Sequence, residues 1–170
     1  PKDIDENYEN QLNWIKEFSK HPRCKAIGEC GLDGIVTTDF QLQKEVFSEQ
    51  IVWANTINKP IIVHCVKRFS ELTPFKKVAK TPMIIHGYNK KNTIAEQLKQ
   101  EGFYLSFGKS LLDNLSLQAI FREFPLDRLF LETDDDDFDI KFLYQLASQL
   151  KSFSVKELQS QINNNLKQIY

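Results

Sequence analysis

Four short apolar runs in this chain lead into side chains that can bind a metal or move a proton. Lys25-Ala26-Ile27-Gly28-Glu29 ends on a carboxylate. Pro60-Ile61-Ile62-Val63-His64 and Pro82-Met83-Ile84-Ile85-His86 end on imidazoles, and Arg128-Leu129-Phe130-Leu131-Glu132 runs on into Thr133-Asp134. Two of the chain's 3 histidines therefore hold the same place after near-identical runs. If the runs are strands of a parallel sheet, these residues share one rim, because loops at C-terminal strand ends bring side chains from separate strands together. Two imidazoles with two carboxylates suit a hard or borderline divalent cation such as Zn, Mn or Mg. A bridging carboxylate would hold a second ion for in-line displacement at phosphorus.

Taken singly, each residue has an ordinary explanation. Asp33 reads as a turn or cap residue, His21 before Pro22 as a structural histidine at a helix end, and Asp135, Asp136 and Asp137 as a solvated acidic loop. It is the repetition that points to a site. Cys30 and Cys65 adjoin Glu29 and His64, and neighbours along a strand face opposite ways, so both thiols are expected to pack outward rather than ligate. No Gly-x-x-x-x-Gly-Lys, Gly-x-Gly-x-x-Gly or Gly-x-Ser-x-Gly stretch occurs, which excludes P-loop, dinucleotide-fold and nucleophile-elbow chemistry.

The elements that must position these residues alternate along the chain. Phe103-Tyr104-Leu105-Ser106-Phe107 is a fifth run, and most runs are continuously apolar, as strands covered on both faces are. Between them lie helical stripes: Val46, Phe47, Ile51, Trp53, Ala54 and Ile57; Ile94 and Leu98 before a Gly102 stop; and Ile140, Leu143, Leu146, Ala147 and Leu150. A leading helix is predicted around Tyr8 to Phe18, and a last one begins at the capping box Ser154-x-x-Glu157. An open doubly wound sheet and a (β/α) barrel both fit. A full barrel takes about 250 residues, so 170 correspond to about five βα units from its later part, read as one domain over residues 1–170. Such a piece would expose two sheet edges, so the isolated chain is expected to associate or to be marginally stable.

Hydrophobic residues make up 41% of the chain, enough for a packed core, and the net charge of −1 excludes a polybasic nucleic-acid binder. Any contact with phosphates must come from a local patch. Lys67 and Arg68 after His64, and Lys90 and Lys91 after His86, are the candidates. Three cysteines, no membrane-length apolar run and a polar start give the expectation of a reduced, cytoplasmic protein with no membrane partner.

On these residues the chain resembles the TatD family of metal-dependent hydrolases, which are (β/α)8 barrels and include deoxyribonucleases. The resemblance is carried by Ala26-Ile27-Gly28-Glu29-Cys30-Gly31-Leu32-Asp33, Lys59-Pro60-Ile61-Ile62-Val63-His64, Ile84-Ile85-His86-Gly87-Tyr88, Gly102 to Gly108 and Asp127 to Asp134. Ile162-Asn163-Asn164-Asn165 is similar to the family's last helix. The resemblance implies that Glu29, His64, His86 and Asp134 are metal ligands, with Glu29 bridging two divalent ions and Asp134 accepting a proton from the attacking water. It makes DNA the expected substrate. Lys67 and Asp33 are assigned to the substrate side of the rim. The family's first-strand His-x-His pair has no counterpart here, and its Thr-Asp-x-Pro is replaced by Thr133-Asp134-Asp135-Asp136. Two alternatives stay open: a barrel relic acting as a binding or structural module, and a hydrolase of small esters or amides.

Overall fold

Residues 1–170 are described by a computed structural model. Five strands alternate with helices: β1 Ile27–Asp33, β2 Ile61–Val66, β3 Met83–Ile85, β4 Tyr104–Phe107 and β5 Leu129–Leu131. The helices are α1 Tyr8–Phe18, α2 Phe40–Ile57, α3 Leu72–Val78, α4 Asn92–Gln100, α5 Ser110–Asp113, α6 Leu115–Glu123, α7 Ile140–Lys151 and α8 Val155–Ile169. The strand order follows the chain, β1-β2-β3-β4-β5. A doubly wound sheet reverses its order at a switch point, whereas successive right-handed βα units laid side by side give the barrel type of sheet. Of the two architectures open at the sequence level, the barrel type is present.

The chain divides into two compact units, Pro1–Ile84 with Ile169–Tyr170, and Ile85–Gln168. In the first, β1 and β2 pair in parallel, with Cys30 opposite Val63 and Asp33 opposite Val66. The register slips between Ile27 and Cys30, so β1 carries an extra residue there. Two glycines permit the close approach: a Cβ on Gly31 would lie 2.1 Å from the His64 carbonyl oxygen, and one on Gly28 would lie 2.7 Å from Ile62. The long helix α2 starts at Asp39, whose side chain accepts the Leu42 N–H, and stops at Asn58 in the left-handed conformation. Its buried stripe is Gln43, Val46, Phe47, Ile51 and Ala54.

In the second unit β4 and β5 pair in parallel. Phe103, Leu105, Phe107, Leu111, Phe121 and Leu143 are fully buried. The predicted capping box forms at α8: the Ser154 N–H donates to Glu157 Oε2 at 2.8 Å, and the Glu157 N–H donates to Ser154 Oγ at 3.2 Å. Asn165 on the same helix is fully buried and donates to the Leu126 and Leu129 carbonyls, tying α8 to the start of β5. Helices α3 and α5 are too short to carry a full stripe, whereas α6 buries Leu117, Ile120 and Phe121. Leu115 at the head of α6 is 79% exposed and lies off that stripe. No helix is long and apolar enough to cross a membrane.

Candidate metal centre

Two sequence expectations about placement need correction. Glu29 and His64 do not end their strands: Glu29 is the third residue of β1 and His64 the fourth of β2, because pairing continues through Asp33 and Val66. His86 directly follows β3, and Asp134 lies three residues past β5. The site residues therefore come from two kinds of backbone, regular strand in the first unit and post-strand loop in the second.

In the first unit Glu29 sits at the slipped register, exposed while Ile27 and Cys30 beside it are buried. A bulge re-aims a side chain in this way. Glu29 borders a cavity of about 520 Å³ with Tyr8, Leu12, Ile15 and Val46. His64 Nε2 lies 3.0 Å from Asp33 Oδ2, and the other Asp33 oxygen accepts the Ile35 N–H at 2.8 Å. Burial alone would raise the Asp33 pKa. The hydrogen bond with His64, the Ile35 N–H, the attraction of the imidazole and the Val36 N–H outweigh it and hold the carboxyl below its ordinary value. Gln43, 1% exposed on α2, accepts the Asp33 N–H at 2.8 Å and donates to the Asp33 and Thr38 carbonyls at 3.1 and 3.0 Å. The sequence reading passed over Gln43. Its readable signal is a polar residue on the apolar stripe of a helix.

In the second unit His86 Nδ1 stands 3.8 Å from Glu132 Oε1 and 3.9 Å from Asp134 Oδ2. These distances are too long for hydrogen bonds, yet the three side chains offer ligand atoms all within 4.8 Å of one another. With metal–ligand bonds of about 2.0–2.2 Å, two ligands of one ion lie roughly 3–4 Å apart. One imidazole and two carboxylates at this spacing therefore fit a divalent cation. Glu132 was not singled out as a ligand from the sequence. Its Oε1 accepts the Gly87 N–H at 2.5 Å. Burial opposes its ionisation, but the His86 side chain, the Ser106 hydroxyl and the Gly87 N–H prevail and hold its pKa below the ordinary carboxylate value. Asp134 is the more exposed of the two carboxylates and adopts a left-handed φ of 50°, a conformation that Asp tolerates better than most residues.

The remaining candidates fall where their bland readings placed them or on the open rim. Cys30 and Cys65 are buried free thiols. Burial pushes the Cys30 thiol up to about 12. His21 accepts the Arg23 N–H at 3.1 Å in a local turn. Asp135, Asp136 and Asp137 are exposed, and Asp136 pairs with Lys109 at 3.4 Å. Lys67, left-handed at φ 55°, is exposed just past β2. Arg68 is spent on the Phe40 ring, with its guanidinium carbon 4.2 Å from the centroid. Lys90 and Lys91 are exposed at the start of α4, where they border a groove of about 1040 Å³ with Asn114, Leu117 and Ile120.

The sequence profile of the family described as "TatD related DNase" matches residues 1–170. Among curated proteins, the chain is 29% identical over 189 residues to the uncharacterized metal-dependent hydrolase YabD of Bacillus subtilis, covering all of this chain and 74% of that protein. It is 30% identical over 129 residues to the 3'-5' ssDNA/RNA exonuclease TatD of Musicola paradisiaca, covering 71% of this chain and 48% of that one. The chain thus spans only about half the length of that exonuclease. Among solved structures, the TatD homologue YJJV of Escherichia coli superposes with a TM-score of 0.82 at 21% identity, over 95% of this chain and 70% of that one. A TatD family hydrolase of Entamoeba histolytica gives a TM-score of 0.82 at 19% identity, over 98% and 69%.

Proposed function

This chain belongs to the TatD-related DNase family, and from that premise we propose that it forms the metal-binding rim of a hydrolase that cleaves phosphodiester bonds in nucleic acid. Glu29, His64, His86 and Asp134 are the proposed ligands. The observation that carries the reading is that two of these, His86 and Asp134, stand with Glu132 at ligand spacing. A divalent cation there would supply Lewis-acid activation of water and would offset charge developing on the ester.

The chain's own residues divide the remaining work. Glu132 is committed to the Gly87 N–H and is stabilised as the anion, so it is poorly placed to take a proton. Asp134 carries the exposed carboxylate and is the proposed proton acceptor for the attacking water. Lys67, Lys90 and Lys91 are exposed cations on the loops after β2 and β3 and are the proposed phosphate contacts. The relative named as an ssDNA/RNA exonuclease supports nucleic acid as the substrate class.

Glu29→Gln tests the reading, because it keeps the side-chain shape and removes the bridging charge. Metal content by elemental analysis should fall, and hydrolysis of single-stranded DNA by the full-length protein should be lost. Unchanged metal content in Glu29→Gln would reject the ligand set. Cleavage of small esters or amides with DNA untouched would instead identify a small-molecule hydrolase.

A further inference from the structure

Asp33 is a built feature. Its backbone N–H and carbonyl are both gripped by the side chain of Gln43, a residue 1% exposed. Its Oδ1 is occupied by the Ile35 N–H at 2.8 Å. These contacts leave Oδ2 aimed at His64 Nε2, 3.0 Å away. The two side chains are only 13% and 26% exposed. A carboxylate oxygen held at hydrogen-bond distance from Nε2 suits a ring that donates there and presents its Nδ1 side to a cation.

We propose that Asp33 is a positioning residue for His64, held in turn by Gln43, which selects the Nε2–H tautomer and so makes Nδ1 the nitrogen that meets a cation. Asp33 then acts from behind the ligand and does not contact substrate. The inference rests on the proposed role of His64 as a ligand and adds how that ligand is prepared. Partners of this kind fix ring orientation and basicity, and their loss typically weakens metal binding by about 10–100-fold. Through the Gln43 grip the start of α2 is tied to the Asp33 backbone, and through Asp33 to the imidazole.

The test uses the full-length protein and two independent readouts. Long-range 1H–15N NMR spectra of the metal-free protein report which ring nitrogen of His64 is protonated. Titration calorimetry with Zn2+ or Mn2+ reports affinity. Wild type should show the Nε2–H tautomer. Asp33→Ala should scramble the tautomer and weaken the cation about 10–100-fold, with KM for single-stranded DNA unchanged once metal is saturating. Asp33→Asn, which preserves the volume but offers a neutral amide, should fold like wild type and show an intermediate loss. Gln43→Glu, which can accept the Asp33 N–H but cannot donate to either carbonyl, should weaken the cation in the same direction. Wild-type affinity and tautomer in Asp33→Ala and Asp33→Asn, with a raised KM, would overturn the proposal and make Asp33 a substrate contact. Failure of wild type to bind either cation would overturn the ligand reading and this inference together, whereas loss of binding in His64→Ala beside normal binding in Asp33→Ala would overturn this inference alone.

Discussion

The two histidines of the rim are held in opposite ways. His64 lies inside a paired strand, locked to the Asp33 carboxylate at hydrogen-bond distance, and the Asp33 backbone is itself clamped by the buried Gln43 amide. His86 lies on a loop, with its two carboxylate neighbours standing 3.8 and 3.9 Å away. The short contact already satisfies its partners. The long contacts set two carboxylates and an imidazole at a spacing that suits a cation. The first unit therefore holds its imidazole preorganised, and the second groups its imidazole with two carboxylates at ligand spacing.

The strongest way to break this comparison is to remove the imidazoles. His64→Ala and His86→Ala should each lower divalent-cation affinity by more than about 100-fold, beyond the range of an orienting partner. Calorimetry that found one of them neutral would show that only one unit binds metal. Next in size is the clamp. Gln43→Leu keeps the volume but leaves the Asp33 N–H and two carbonyls without their partner, so urea unfolding should show a loss of about 2–4 kcal/mol. Its counterpart in the second unit is Asn165→Leu, which orphans the Leu126 and Leu129 carbonyls and should cost about 1–3 kcal/mol. A Gln43 effect no larger than the Asn165 effect would mean that the first unit is not specially rigid.

Smaller effects are expected at the exposed cations. Lys67→Ala on the first unit and Lys90→Ala on the second should each reduce the salt slope of single-stranded DNA binding by about 0.7 to 1 unit while bound metal stays constant. A change on one side only would assign the phosphate path to that unit. The smallest effect is acid loosening of the second unit's helix starts. Asp139 is held below its ordinary pKa by the Lys141 N–H at the start of α7, and Glu157 by the Ser154 hydroxyl and N–H at the start of α8. A lowered folded pKa means stability that is present above the ordinary carboxylate value and is lost as pH falls through the folded one. Circular dichroism below about pH 4.5 should therefore show fraying that Asp139→Asn and Glu157→Gln no longer display.

Much of the alternation could be read from residue order. The helix bounds at Tyr8 and Phe18, the Ser154–Glu157 cap and the stop at Gly102 are local features, set by side chains a few positions apart. Helices α3 and α5 are too short to show a period, and α6, whose Leu117, Ile120 and Phe121 form a buried stripe, is a readable helix that the expectations above leave out. The strand ends were misjudged for a related reason: apolar runs mark where a strand is covered, whereas pairing partners decide how far it extends, and β1 goes on to Asp33 because β2 offers Val63 to Val66 as partners.

The residue types of the proposed centre stand out in the sequence as well. Glu29, His64, His86 and Asp134 stand out because histidines and carboxylates after apolar runs are few in this chain. Their relationships were not legible. That Asp33 faces His64, that Gln43 holds Asp33, and that Glu132 joins His86 depend on contacts between residues 10, 31 and 46 positions apart. Hydrogen bonding and ion pairing fall off within a few ångströms, so such pairs exist only once the strands are in register and α2 is packed. Chemistry that resides in a side chain is written in the sequence, and chemistry that resides in a distance is decided by the fold.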